Sequence, residues 1–184
     1  HNTSVGSFSM TDNHSGSYNT AVGDEVLQYN IYGSFNTGVG VFALDSNYKG
    51  SYNTAIGLST LYDDTTGSYN TAIGMGGLLK LRNGQCNVSI GGSALYSNTN
   101  GSFNTALGHT AGTNNLNGSG NVFLGFDAGN TEIGSNKLYI SDNSTSVPLI
   151  YGDFTAGKIG IANSGTLISS LNIASLKNGS KITF

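Results

Sequence analysis

Hydrophobic and polar positions recur along this chain with a period of seventeen residues. An asparagine marks the start of every repeat, and we number the seventeen columns of the repeat from it. The stretch GSYNTAIG, which occurs unchanged at 50–57 and at 67–74, shows the pattern most clearly. Self-similarity at a short fixed period is typical of a solenoid, in which each repeat is one structural unit.

The columns of the repeat predict a strand between two corners. Column four is aliphatic in all eight repeats, column nine is mostly leucine and column seventeen is mostly aromatic. Glycine occupies column five throughout and column fifteen in seven of the eight repeats, as expected where the backbone turns or two chains approach closely. The alternation in YNTAIG predicts a strand of about six residues. Columns ten to fourteen vary, and we expect them to form a loop.

Stacked coils place identical columns above one another, which predicts ladders along the molecule. Since a slip of one residue would reverse every side chain, the strict period also fixes the register. We expect the column-four residues, and the threonines that share their face in column two, to point into the core. Each repeat has few large apolar residues, so we also expect oligomerisation. The predicted ladder residues are Asn19, Asn36, Asn53, Asn70, Asn87 and Asn104, and Ile56, Ile73 and Ile90.

Units of the form GSYNTAIG…AL resemble the head repeats of YadA-like trimeric autotransporter adhesins and the related repeats of phage and viral tail-fibre proteins. The resemblance covers residues 2–137. It implies an all-β fold, a left-handed parallel β-roll (β-solenoid) of eight coils, assembled as a homotrimer with the aliphatic columns facing the three-fold axis. The coil is longer here than is usual in that family, and the extra residues lie in the variable columns.

The period is lost in residues 138–184, which we interpret as a small β-rich neck or cap. KLYIS, LIYGDF and KIGIA predict short strands separated by Asn, Ser, Pro and Gly turns. The tail predicts a hairpin around Asn178 and Gly179. An amphipathic helix using Leu167, Leu171 and Leu176 is the alternative for part of that tail.

Composition narrows the function classes. Only 9% of the residues are charged and the net charge is −3, so the chain has no basic surface for nucleic acid. No apolar run approaches the ~18 residues of a membrane-spanning segment, so we expect no membrane insertion. The sequence opens directly on a repeat, so we expect it to be part of a longer fibre chain. Its single cysteine, Cys86, falls in the aromatic column and is interpreted as a small apolar substitute.

The sequence contains no motif for catalysis, and we predict neither enzymatic activity nor a cofactor. The three histidines are at separate places and none has metal-ligand spacing, so we predict no transition-metal site. The oxygen-rich stretches DDTTG and DNSTS lack the spacing of an EF-hand and leave calcium binding open. Tyrosines in or beside the variable columns are candidates for contact with a carbohydrate or another surface receptor, although they could equally pack along a ladder. They are Tyr29, Tyr32, Tyr48, Tyr62 and Tyr96.

These features, together with the resemblance, favour a structural and adhesive fibre module that presents its variable loops to a host or surface receptor. Its location would be extracellular, on a virion tail fibre or a bacterial cell surface. One alternative is a glycan-depolymerising fibre enzyme with a site between subunits. Another is the subunit of a self-assembling extracellular filament. The candidate carboxylates for the enzyme are Asp24, Glu25, Asp45, Asp63 and Asp64.

Overall fold

The computed structural model describes residues 1–144 and 148–161, which form strands and turns and contain no helix. One short strand comes from each repeat: β1 to β8 are Thr3–Val5, Thr20–Val22, Thr37–Val39, Thr54–Ile56, Thr71–Ile73, Val88–Ile90, Thr105–Leu107 and Val122–Leu124. Three further strands follow, β9 at Lys137–Ile140, β10 at Ile150–Asp153 and β11 at Lys158–Ile161. All eleven belong to one sheet in chain order.

The first nine strands are parallel, and the repeat sets their register. Each residue pairs with its counterpart seventeen positions later, as Thr54 does with Thr71 and Ile56 with Ile73. The step from β8 to β9 is one residue shorter, because Val122 pairs with Leu138. The predicted β-solenoid of eight coils with a period of seventeen residues is therefore confirmed.

Each coil strand has three residues, about half the length that the alternation predicted. The backbone ends the strand on both sides. Tyr52 precedes β4 at a φ of 60°, and Gly57 follows it at a φ of 132°. Both angles lie in the left-handed region, which breaks the extended conformation. At Gly57 the neighbouring coil is also so near that a Cβ would overlap the Gly74 backbone. The prediction of glycine corners is confirmed.

Small and branched side chains fill the inside of the coil. Ala55 and Ala72 in column three and Leu61 and Leu78 in column nine are fully buried. Because alternate residues of a strand point to opposite faces, columns two and four must point outward. The expectation that the threonines and the column-four aliphatic residues lie inside the single chain is therefore wrong. The alternation was identified correctly, but alanine occupies the inner face.

The asparagine side chains of column one close the coils. In Asn53, Nδ2 donates to the carbonyl of Gly67 in the same coil (2.8 Å), and Oδ1 accepts the backbone N–H of Asn70 in the next coil (2.9 Å). The same pair of bonds recurs along the stack, and the last one reaches the Lys137 N–H (2.8 Å). The predicted asparagine ladder is therefore present, and its amides bond mainly to backbone groups rather than to one another.

Column twelve forms a second polar ladder inside the coil. Asn30, Asn47, Asn98 and Asn115 are fully buried there, as is Asp64. The Asn47 Nδ2 donates to Asn30 Oδ1 (2.6 Å) and to the Gly50 carbonyl (2.9 Å). The prediction that columns ten to fourteen form one variable loop is therefore wrong for column twelve.

In the last two coils, the large and small core residues change columns. Phe123 replaces the column-three alanine and is fully buried, while Gly112 and Gly129 replace the column-nine leucines. A Cβ on either glycine would overlap the Phe123 ring. The ring thus fills the space that leucine side chains occupy in the earlier coils.

The solenoid continues into the segment that follows the repeats. The boundary proposed at residues 137/138 falls inside β9, which extends the parallel stack. β10 then pairs antiparallel with β9 and with β11. The strands predicted from KLYIS, LIYGDF and KIGIA are confirmed as β9, β10 and β11. The hairpin around Asn178 and the alternative helix through Leu167, Leu171 and Leu176 lie outside the described residues.

Replacing Asn53 by alanine is expected to destabilise the protein strongly. The change leaves the buried Gly67 carbonyl and Asn70 N–H without their partner, and each unpaired group costs about 1–3 kcal/mol. The control is Asn100→Ala, which removes an exposed asparagine that donates to Asn117 in the next coil and should change stability by less than about 0.5 kcal/mol. Urea unfolding measures both. Equal effects would contradict the role of the first ladder.

Phe123→Ala should lower the free energy of unfolding by about 3–5 kcal/mol, because it leaves a cavity in the core. Adding Gly112→Leu and Gly129→Leu to that variant restores the combination of the earlier coils, a small residue in column three and leucine in column nine. We expect the triple variant to recover more than about 1 kcal/mol, and the two leucines alone, with Phe123 kept, to be destabilising. Independent, additive effects in denaturant unfolding would show that the three positions do not share one space.

Candidate functional site

The outward side of β1 to β8 is the most extended candidate surface. It is formed by columns seventeen, two and four, which we call the outer sheet face. From Tyr18 to Leu124 these columns contain aromatic, threonine and aliphatic residues, with Cys86 and Gly120 in column seventeen, and no charged residue. Monomeric soluble proteins rarely expose continuous apolar patches of this kind, which mark interaction sites.

Column seventeen is an exposed stack of aromatic rings. Successive centroids from Tyr18 to Tyr69 lie 4.8–5.0 Å apart, and the interplanar angles are 2–5°. Because the rings cover one another's faces, they present their edges to the outside. Sugar rings stack on aromatic faces, so this ladder does not suit a carbohydrate; its exposed edges suit packing against apolar side chains. Cys86 interrupts the stack and is exposed in the single chain.

Column four is an exposed aliphatic ladder. Ile56 and Ile73, two of the predicted ladder residues, are 39% and 36% exposed, and Ile90 next to them is half-buried. Their in-register pairing continues past the eighth coil, from Leu124 to Ile140 and then across the antiparallel strands. A depression of about 520 Å³ lined by Leu124, Ile140 and Leu149 lies at that end. The apolar surface therefore extends over the whole described sheet.

Threonine lies between these two ladders. Thr37, Thr54 and Thr71 are half-buried on the outer sheet face, flanked by larger residues on both sides. A second apolar row follows the glycine corner in column six, where Val41, Leu58 and Met75 are 37–58% exposed. In the middle coils, the apolar surface therefore continues past the column-five glycine.

The five candidate tyrosines fall into three separate groups. Tyr32 and Tyr48 meet edge to face at 5.4 Å between centroids, and Lys49 Nζ lies 5.3 Å from the Tyr48 ring. These two rings are 50% and 40% exposed, in the range that permits direct contact with a ligand.

The other three candidates do not form an exposed pair of rings. Tyr96 is half-buried beneath Lys80, whose Nζ is 5.2 Å from the ring centroid. Tyr62 packs edge to face on Phe42, and nearby Asp45 raises the pKa of its phenol. Tyr29 is exposed and adds to the same electrostatic effect on Tyr62. The structure therefore brings together only Tyr32 and Tyr48 as an exposed pair.

Three of the candidate carboxylates lie near one another. Burial, followed by the charges of Glu25 and Asp63, raises the pKa of Asp45 to about 6. The Gln28 amide, oriented by its partners, donates to both Asp45 Oδ1 and Glu25 Oε2 at 3.1 Å. Asp45 is only 4% exposed and already hydrogen-bonded to Gln28, so a substrate has no access to it. Asp64 lies in the core, and Asp24 is not part of the electrostatic group around Asp45.

Within the described parts of the chain, no group of three or more His, Cys, Asp or Glu residues is placed to hold a metal ion. Those same parts include no helix that is long and apolar enough to cross a membrane. No protein-family model, curated protein or solved structure matches this chain.

Two features of the site and its core were not predicted from the sequence. The exposed position of column four could not be deduced from the alternation, which does not reveal which face is inside. The second ladder carried a signal that was available, since asparagine recurs in column twelve at Asn13, Asn30, Asn47, Asn98 and Asn115. The interruption by Asp64 and Leu81 obscured the column.

Proposed function

We propose that this chain is a structural and adhesive module of a trimeric fibre, in which three copies pack through their outer sheet faces. The observation that supports this most strongly is the outer sheet face, which contains no charged residue from Tyr18 to Leu124 and has an aliphatic residue in column four of all eight coils. A surface of that extent is unfavourable in water, because burying a fully exposed apolar side chain gains about 1.5–3 kcal/mol and these partly exposed side chains would gain a share of it.

A second copy of the same chain is the partner that fits this surface best. Its ladders have the same spacing along the molecule, so aromatic and aliphatic rows of different copies can interdigitate over many coils. The inside of a single coil is narrow and contains mainly alanine and leucine, so burying the outer face would add aromatic and branched side chains to a small apolar core. The resemblance to trimeric head repeats supports three copies, a left-handed roll and a neck formed by the segment after residue 137.

Adhesion would use surfaces outside the outer sheet face. The exposed pair Tyr32 and Tyr48 lies in columns fourteen and thirteen, where the sequence varies from coil to coil. Aromatic side chains with one open face commonly stack on sugars, and three copies in one fibre would combine weak contacts by multivalency. The same proposal places the module outside the cell, on a virion fibre or a bacterial cell surface.

Light scattering tests the assembly. We expect a mass of three times the 18.9 kDa chain, and a monomer for Ile73→Glu, because three carboxylates would be buried in the contact. The control is Asn83→Glu, which adds the same charge at an exposed loop position and should remain trimeric. Circular dichroism checks that each variant is folded. A folded wild-type monomer would contradict the proposal, and a mass that grows with concentration would favour the filament alternative.

A glycan array tests the adhesive surface. Replacing both Tyr32 and Tyr48 by alanine should weaken carbohydrate binding at least tenfold, the loss expected when an interface anchor worth about 1.4 kcal/mol is removed. Leu116→Ala is the matched control, because it removes an exposed apolar side chain from the column of Tyr48. Binding that survives the tyrosine changes would remove these residues from the proposal.

A further inference from the structure

The second asparagine ladder has one member of a different chemical type. Asn30 Nδ2 donates to Asn13 Oδ1 (2.8 Å), and Asn47 Nδ2 donates to Asn30 Oδ1 (2.6 Å). In the next coil the same position is Asp64, which is fully buried. An ionised carboxylate cannot donate a hydrogen bond, so an aspartate anion could not continue this series.

Among the described residues, none places a positive charge beside Asp64. Its Oδ1 accepts the Gly67 N–H (2.8 Å), and its Oδ2 accepts a longer bond from Asn53 Nδ2 (3.3 Å). The ladder positions before and after it are Asn47 and Leu81, neither of which titrates. Burial of an unpaired carboxylate is strongly unfavourable, so such a group takes up a proton instead.

Charged side chains near Asp64 in the sequence point elsewhere. Asp63 acts electrostatically on Asp45 and Tyr62, and no charged group contributes to the titration of Asp64. In the following coil, Lys80 and Arg82 flank Leu81 but are exposed to solvent. The protonation state of Asp64 is therefore set by its burial and its hydrogen bonds.

The preceding member of the ladder has an acceptor without a donor. Asn47 Oδ1 is buried and accepts no hydrogen bond from the described residues. In the two earlier coils the corresponding Oδ1 atoms accept a bond from the next ladder residue. A neutral Asp64 in the next coil would have the hydroxyl that Asn47 Oδ1 lacks.

We propose that Asp64 is held as the neutral acid and continues the ladder by donating a hydrogen bond from Oδ2 to Asn47 Oδ1. It replaces an asparagine amide as donor and makes the stability of the fourth coil depend on one proton. Deprotonation would leave Asn47 Oδ1 without a partner and an anion in the core. The solenoid thus contains a proton-sensitive position away from its outer sheet face.

The direction of the pH dependence follows from the burial. Burial raises the pKa of Asp64 to about 8, and the Gly67 N–H offsets only part of this effect. In the unfolded chain this aspartate has an ordinary pKa of about 3.9. Between about pH 4 and about pH 8, Asp64 is therefore protonated in the folded state and ionised in the unfolded state. The contribution of Asp64 to stability is complete below about pH 4, declines as pH rises and is lost above about pH 8.

Asp64→Asn provides the test, because asparagine restores the usual donor and does not titrate. The ratio of the unfolding equilibrium constants of wild type and variant should rise about tenfold per pH unit, and thus about a hundredfold from pH 5 to pH 7. It should become constant above about pH 8. Urea unfolding at each pH measures this ratio. Asp142→Asn removes an exposed carboxyl group and is the matched control, with a ratio that does not change in this way.

Infrared spectroscopy of the folded protein gives a second measurement that does not require unfolding. At pH 7 the wild type should show the carbonyl band of a protonated carboxyl group, and Asp64→Asn should lack it. A ratio that is the same at pH 5 and pH 7, or a wild type without that band, would overturn the proposal.

Discussion

The hydrogen bonds of the column-one asparagines are the interaction on which the rest of this structure depends. One side chain joins the start of a coil to the glycine carbonyl near its end and receives the backbone N–H of the next coil. The first bond sets the circumference of the coil and the second sets its register on the neighbour. Backbone bonds between coils extend beyond the three-residue strands, as between the Leu61 N–H and the Gly77 carbonyl. The asparagine side chains add a link within each coil, which pairing between coils does not provide.

The narrow coil determines where the large side chains must go. With asparagine and alanine on the inner face, aromatic and branched residues in the alternate columns are directed outward. The same repetition that aligns the inner ladders also aligns these outer rows. A single structural requirement thus produces both a closed coil and a continuous apolar surface, and the second is the basis of the proposed assembly.

The sequence was sufficient to predict the solenoid, its period, its glycine corners and the three strands after the repeats, because each depends on spacing along the chain. It was not sufficient to decide which side of a two-sided alternation is inside. Isoleucine is the better core residue by hydrophobicity, but the space inside the coil is limited, and alanine fits it. Function was harder to predict for a related reason, because the contribution of a tyrosine depends on its neighbours in adjacent coils. Among the five candidate tyrosines, only the exposed pair of Tyr32 and Tyr48 combines contact between rings with access from outside.

The reactivity of Cys86 is the most direct test of assembly through the outer sheet face. This residue is the only cysteine, lies in the aromatic column and is exposed in the single chain. A maleimide added to the native, unmodified protein should therefore react slowly, because neighbouring copies cover the thiol, and should react fully once the protein is denatured. Rapid labelling of the native protein, at the rate of a free cysteine, would contradict burial of this face between copies.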